Sequence, residues 1–384
     1  MLGSIEEIIS FLFTGAIAEL DIPPDLYELA VLKYEEVGTW LGKTGGDGWE
    51  IYPQGSFRLG TVVRPSGTHA EYDIDLVCLW GDAPHDITPP VVKDTVGEML
   101  QRYLDWKTGQ QTGDGPADCV SSRRCWTLTY PSDGFHMDVL PAVPDDGNPP
   151  PAIRLTDVAL GDWQYSNPIG YAAWFRSRSE EMVRMLAKMA REAYVADVPE
   201  WRVRTTLQRL VQVLKWHCAT RFADDPRDRP PSILITTLVA QAYRGEQDLF
   251  TATLDALRRM GGLVENRDGR WWVANPVHDQ ENFADKWNEY PQRRAKFLAW
   301  LREVTELLET VGRMHGQGIH PVVERLEEGF TAGGVIRKAA TGWGQGSRQV
   351  REAGGLAMTG TGLLTKTTAP STPRVPTHTF FGRE

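Results

Sequence analysis

Apolar residues recur at helical spacing through residues 4–42, and Pro23 and Pro24 interrupt the run just after Asp21, so this stretch predicts two helices. The period changes after the GKTGGDG loop. Short β-rich runs bounded by Gly, Pro, Ser and Asp follow at residues 50–52, 72–79, 125–130 and 135–140, with one helical pattern over 90–104 between them. From Pro168 the spacing is helical again, through YAAWFRSRSEEMVRMLAKMAREAYV, WRVRTTLQRLVQVLKWHCATRF, ILITTLVAQAYR and NEYPQRRAKFLAWLREVTELLETV. On the second of these, Val203, Leu207, Leu210, Val211 and Leu214 share one face. The pattern predicts an α+β protein: a lobe over residues 1–165 with a mixed sheet and N-terminal helices, then an all-helical lobe over 166–346. Beyond it, GGLAMTGTGLLTKTTAPSTPRVPTHTFFGRE has too little apolar surface to order itself, so 347–384 is expected to be a flexible tail.

Composition fits that division. A chain of 384 residues exceeds the usual span of one core, and 41% hydrophobic content with 14 tryptophans excludes disorder through most of its length. Asp and Glu outnumber Lys and Arg by 51 to 41, for a net charge of -10 and a pI near 5.4, which argues against a broad basic face for long nucleic acid. Small anionic ligands held by local basic groups remain open. Cys78, Cys119, Cys125 and Cys218 form neither a CxxC pair nor a zinc spacing. The N-terminus does not read as a signal peptide, and no apolar run approaches a membrane span of about 20 residues. A soluble, cytoplasmic protein with cysteines serving as small core residues is the expectation.

The candidate chemistry sits in the β-rich part. In YDIDLVCLW a strand directs Asp73 and Asp75 to one face and Ile74 and Leu76 to the other. Two like charges so close among apolar neighbours are tolerable when a divalent cation bridges them, and hard oxygen ligands favour Mg²⁺, with Mn²⁺ as the alternative. Asp138 in FHMDVLPAV offers a third carboxylate from a neighbouring strand. Three carboxylates holding metal suit in-line nucleotidyl transfer, in which the acceptor hydroxyl is activated and the leaving pyrophosphate steadied. Upstream, in QGSFRLGT, Gly55 lets backbone amides approach phosphates and Ser56 can donate its hydroxyl at the start of a helical turn. D-x-D alone would carry little weight; with the glycine-serine pair and a third strand aspartate it becomes specific. His136 and His69 lie near these acids and are read as structural or supporting residues.

The combination YPQGSFRLGTVVRP, YDIDLV and FHMDVLPAV, with SRRCWTLTY, NPIGYAAWF and NPVHDQENFADKW, resembles the polymerase-beta-like nucleotidyltransferases. Within them it is similar to the bacterial cyclic oligonucleotide synthases related to oligoadenylate synthase and cyclic GMP-AMP synthase, the CD-NTases of CBASS anti-phage defence. The resemblance spans roughly residues 52–287. It implies that Asp73, Asp75 and Asp138 bind the catalytic metals, that Asp138 helps deprotonate the acceptor, and that Gln54, Gly55 and Ser56 hold the donor triphosphate. It further implies nucleotide-binding roles for Lys215 in QVLKWHC and for Ser232 in RPPSILITT, where Ser232 is also written as a helix N-cap. The implied substrates are ribonucleoside triphosphates, ATP, GTP or both, joined into a cyclic di- or trinucleotide signal. An E1/E2-like protein conjugating the C-terminus is an implied partner, though Arg383 and Glu384 follow Gly382 where the related endings stop at a small residue. Two alternatives stay open: a nucleotidyltransferase acting on a non-nucleotide or tRNA acceptor, and a catalytically silent nucleotide-binding sensor.

Overall fold

Ile9, Leu12, Phe13, Ala16 and Ile17 recur at three- and four-residue intervals and are all fully buried along helix α1 (Ile5–Leu20). Pro23 and Pro24 then start α2 (Pro24–Gly45), since proline is accommodated where the first helical N–H groups have no partner. The structure, a computed structural model, describes residues 5–64, 72–157, 161–179, 204–314, 316–330, 333–341, 356–358 and 364–366.

After α2 come β1 (Trp49–Gln54), a five-residue helix α3 (Gly55–Leu59), β2 (Tyr72–Trp80), α4 (Pro89–Gln110), β3 (Asp118–Ser121), β4 (Trp126–Tyr130), β5 (Phe135–Pro144), β6 (Ile153–Asp157) and β7 (Asp162–Ser166). The sheet runs β1-β2-β5-β4-β3, and β6 pairs with both β5 and β7. It is mixed: β2 and β5 are parallel, and every other pair is antiparallel. Ile74, Leu76, Leu128, Met137 and Val139 form a core with Val37 and Leu41 of α2 and Val96 and Leu100 of α4. Strand alternation turns Asp73, Asp75 and Asp138 to the opposite face.

The helical lobe holds α5 (Pro168–Ser177), α6 (Thr206–Arg221), α7 (Ser232–Ala242), α8 (Leu249–Met260), α9 (Asp285–Glu289), α10 (Pro291–Gly312) and α11 (Ile319–Phe330). Thr205 and Gln208 close a reciprocal capping box at the start of α6. The lobe departs from the all-helical expectation by two hairpins of minimal length, β8 (Glu265–Arg267) with β9 (Arg270–Trp272), and β10 (Ala274–Asn275) with β11 (His278–Asn282). Asp268 and Gly269, both at positive φ, turn the first of them. A second departure concerns α1. Its buried side chains share the core of α6, α8, α10 and α11, whereas α2 packs on the sheet, so the two N-terminal helices serve different lobes. A third lies in the segment expected as a tail, where β12 (Leu356–Met358) and β13 (Leu364–Lys366) pair antiparallel. The C-terminal end expected to meet a conjugating protein lies outside the described residues, as do Val203 and His69.

All four cysteines are free, with Cys78, Cys125 and Cys218 buried. Among the described residues no helix is long and apolar enough to cross a membrane.

The NPVHDQEN stretch forms the second hairpin and fastens it to the sheet lobe. His278 Nε2 lies 3.2 Å from Asp145 Oδ2, and Glu281 accepts from Asn275 Nδ2 at 2.7 Å and from Ser166 Oγ at 3.3 Å. Burial raises the Glu281 carboxyl to about 7, with both hydrogen bonds pulling the other way. A carboxyl raised in the fold stabilises it in acid, and this contribution is lost as pH climbs from its ordinary value of 4.5 toward 7. Glu281→Gln keeps an acceptor oxygen and removes the ionisation. Its melting temperature is expected to exceed that of the parent at about pH 8 and to converge with it at about pH 5. A difference that stays flat across that range in thermal scans would refute the assignment.

Candidate active site

The register of the sheet builds the site. Gln54 on β1 is the pairing partner of Asp75 on β2, Asp75 pairs with Asp138 on β5, and Asp138 pairs with Thr127 on β4. Directly paired residues share a sheet face, so these four side chains form one row across four strands. Asp73 and His136 are paired in the next row, two residues along the same face, with the His136 ring nitrogen 3.3 Å from the Asp73 carboxylate. Carboxylate oxygens of Asp73, Asp75 and Asp138 all come within 4.8 Å of one another.

Three carboxylates so placed repel. Burial holds the Asp75 carboxyl well above the usual range, and the charges of Asp73 and Asp138 raise it further against the pull of Lys215 and His136. Asp73 is half exposed, at 53% of its side-chain surface, although it sits among the apolar residues of YDIDLV. The strand end is open on that face, so solvent reaches the outer acid. Hard oxygen donors at this separation fit a small divalent cation, which would replace mutual repulsion with coordination.

Gly55 closes the site on the β1 side. Its φ of +61° is left-handed, and a Cβ there would stand 2.1 Å from Asp75 Oδ2, so only glycine permits the chain to turn from β1 into α3 across the carboxylate. The turn is held by Thr61 N donating to Ser56 O at 2.9 Å and by Arg58 Nη1 donating to Pro53 O at 3.1 Å. Phe57 anchors it to α2, stacked on Tyr27 with ring centroids 4.7 Å apart.

Helix α6 grips the chain that leaves α3. Gln208 Nε2 donates to Leu59 O at 3.0 Å, Gln212 Nε2 to Val62 O at 2.7 Å, and Lys215 Nζ to Thr61 O at 3.0 Å. Spacings of four and three residues place these donors on one helix face. Gln212 also donates to Asp21 Oδ1 at 2.7 Å, and Arg209 Nη1 to Asp21 Oδ2 at 2.7 Å, which ties in the end of α1. Burial lowers the Lys215 ammonium to about 8, against the attraction of Asp75 and Asp73. Lys215 is therefore no solvated surface lysine; from the helical lobe it lies close enough to Asp75 and Asp73 for their charges to act on it.

The structure brings Gln54, Gly55, Ser56, Asp73, Asp75, Asp138 and Lys215 to one place. Ser232 differs from expectation: the residue before α7 is Pro231, Ser232 is the first helical residue, exposed, and no side-chain cap is formed. The prolines fix the entry angle without a hydroxyl. Arg229, three residues earlier, is exposed and close enough to Lys215 to act on its charge, and the sequence reading passed it over. Thr127, Gln208 and Gln212 were also missed; a glutamine inside the apolar stripe of LVQVLKW was the available signal.

Residues 50–141 match a family profile described as cyclic GMP-AMP synthase DncV-like, nucleotidyltransferase domain. A c-di-GMP synthase of Roseivirga ehrenbergii is 28% identical over 357 residues, 91% of this chain and 90% of that protein. Cyclic dinucleotide synthase CdnG of Bradyrhizobium diazoefficiens is 25% identical over 316 residues, 76% and 73% of the two chains. The structure of that CD-NTase in complex with GTP shares the fold, with a TM-score of 0.68 at 21% identity over 88% of this chain and 99% of the other. The chain is similar to bacterial CD-NTases over most of its length. The three acids and the glycine-serine turn all lie within the segment matched by the profile. A protein of the same fold, Escherichia coli CdnC in a complex with HORMA-deltaN, has a TM-score of 0.58 at 14% identity over 83% of this chain and 96% of that chain.

Proposed function

We propose that this protein is a CD-NTase, a divalent-metal-dependent synthase that joins two ribonucleoside triphosphates, GTP foremost, into a cyclic dinucleotide and releases pyrophosphate. The observation that carries the reading is the row Gln54, Asp75, Asp138, Thr127 with Asp73 beside it and Lys215 within electrostatic reach of Asp75 and Asp73. Asp73, Asp75 and Asp138 would hold Mg²⁺ or Mn²⁺, which supplies activation of the acceptor hydroxyl and neutralises charge on the triphosphate. The Gly55 turn offers its backbone amides and the Ser56 hydroxyl to the donor phosphates, with Gln54 at the edge of the turn. Lys215, with Arg229 nearby, balances the triphosphate charge. Asp138, half-buried, takes the proton of the acceptor hydroxyl as the new phosphodiester bond forms and pyrophosphate leaves. A second transfer of the same kind closes the ring.

Similarity over nine-tenths of a c-di-GMP synthase, together with a GTP complex of a protein of the same fold, supports guanine as the preferred base. Solved CdnC and DncV structures hold ATP and GTP analogues, which keeps ATP as the second candidate substrate. The product would act as a diffusible signal to a separate effector in anti-phage defence, made in the cytoplasm, and the complex of CdnC with HORMA-deltaN supports a protein partner.

The test incubates purified protein with each ribonucleoside triphosphate, singly and in pairs, with Mg²⁺ or Mn²⁺, then treats with phosphatase and analyses by mass spectrometry. A phosphatase-resistant species at the mass of a cyclic dinucleotide, strongest with GTP, is expected. Pyrophosphate release without such a species would shift the reaction to a linear or non-nucleotide acceptor; silence in both would end the synthase reading.

A further inference from the structure

Asp138 is not held by the cation-binding acids alone. Thr127 stands directly opposite it on β4, and its Oγ1 donates a hydrogen bond of 2.5 Å to Asp138 Oδ1. A charge-assisted O–H to carboxylate bond of this length is among the stronger hydrogen bonds a side chain makes. The Thr127 hydroxyl oxygen is met in turn by the Cys125 thiol at 3.9 Å, and Cys125 Sγ lies 2.8 Å from Ser122 Oγ. Burial raises the Cys125 thiol to about 11, which keeps its proton in place. Lys93 fixes the start of this strand by donating to Cys125 O at 3.1 Å. A β-branched residue is stiff at χ1, so the hydroxyl is aimed by the strand itself.

We infer that Thr127 is a positioning residue for metal binding: it occupies Oδ1 of Asp138 and so presents Oδ2 to the cation and the acceptor hydroxyl. The inference rests on the metal-dependent reading above for its activity arm only. Without the hydroxyl, the Asp138 carboxylate keeps only the weaker thiol hydrogen bond of Cys125 to orient it, and the three-acid site loses its preset geometry. Partners that orient a metal ligand in this way contribute about 10- to 100-fold in metal affinity or activity.

Thr127→Val keeps the shape and removes the hydroxyl; Thr127→Ser keeps the hydroxyl and removes a methyl. Mn²⁺ binding to each purified protein is measured by electron paramagnetic resonance without nucleotide, alongside steady-state turnover and the metal-free melting temperature. Thr127→Val is expected to bind Mn²⁺ about tenfold more weakly and to lose about tenfold in kcat with KM for the triphosphate nearly unchanged, and Thr127→Ser to recover both. Mn²⁺ affinity in Thr127→Val equal to that of the parent overturns the inference, as does a folded Thr127→Ser that fails as badly as Thr127→Val. Should Thr127→Val not fold, Thr127→Ala and Thr127→Ser carry the same comparison. If the parent binds Mn²⁺ and Thr127→Val weakens it while no protein yields product, the positioning role stands and the synthase reading falls; a parent that binds no Mn²⁺ removes the positioning role.

Discussion

Asp75→Asn is expected to reduce turnover by at least about a thousandfold while leaving the metal-free protein more stable than its parent. The two effects share one cause. Asp75 is the central acid of the row, flanked by Asp73 and Asp138 and within reach of Lys215, and its carboxyl is the one that burial and its neighbours push upward. An ionised Asp75 thus destabilises the fold, and because its carboxyl is raised, the penalty is absent in acid and grows as pH rises above the ordinary carboxylate range. Like charges within 4.8 Å repel by on the order of 3 kcal/mol at an effective dielectric near 20. Solvent at the half-exposed Asp73 reduces this, so a gain of about 1 kcal/mol, some 2 °C or less in a protein of this size, is the expected rise near neutral pH. Asparagine preserves size and loses the charge that coordination needs. Turnover within tenfold of the parent, or a lower melting temperature, would remove the metal assignment.

Gly55→Ala is expected to abolish activity with the opposite effect on stability. The left-handed φ of +61° costs an L-residue about 1–2 kcal/mol, and the added Cβ would meet Asp75 Oδ2 at 2.1 Å, closer than any real contact. Either the turn or the carboxylate must move by an ångström or more. Displacement of that size at a reacting centre costs about a hundredfold in rate. A pyrophosphate-release assay is expected to give less than about one per cent of parent activity, with a melting temperature lowered by a few degrees. Retention of a tenth of the activity would show that the turn does not abut the site as described. Compared in one experiment, the two variants separate loss of a ligand from loss of a shape.

Strand alternation and the D-x-D spacing made the acid face legible from the sequence, because period-2 geometry fixes which side chains travel together. The third acid was legible as a strand residue, and its pairing with Asp75 needed only the two strands to be adjacent. What the sequence withheld depends on contacts between distant segments. Nothing local in IEEIISFLFTGAIAEL says that α1 belongs with α8 and α11 while α2, three residues later, belongs to the sheet; an amphipathic stripe specifies burial, not the partner. The Ser232 cap failed because the helix begins one residue early: Pro231 takes the N-cap position and Ser232 is already the first helical residue. Lys215 was legible only through the resemblance, since its worth lies in being within electrostatic reach of Asp75 and Asp73 from the other lobe.

The placement of α1 sets a demand on synthesis. Ser10 bonds to Asp248, and Phe250 N donates to Ser10 Oγ at 2.8 Å, so the first helix finds its partners some 240 residues after it is made. At bacterial or eukaryotic elongation rates of about 5–20 residues per second, roughly 12–50 s pass before α8 is available. Until α6 and then α8 are made, Ile9, Leu12, Phe13 and Ile17 lack the native core they enter, while the whole sheet lobe in between can fold. The nascent chain therefore carries an exposed apolar helix beside a finished domain, the kind of transiently exposed hydrophobic surface that is prone to aggregate and that chaperones cover.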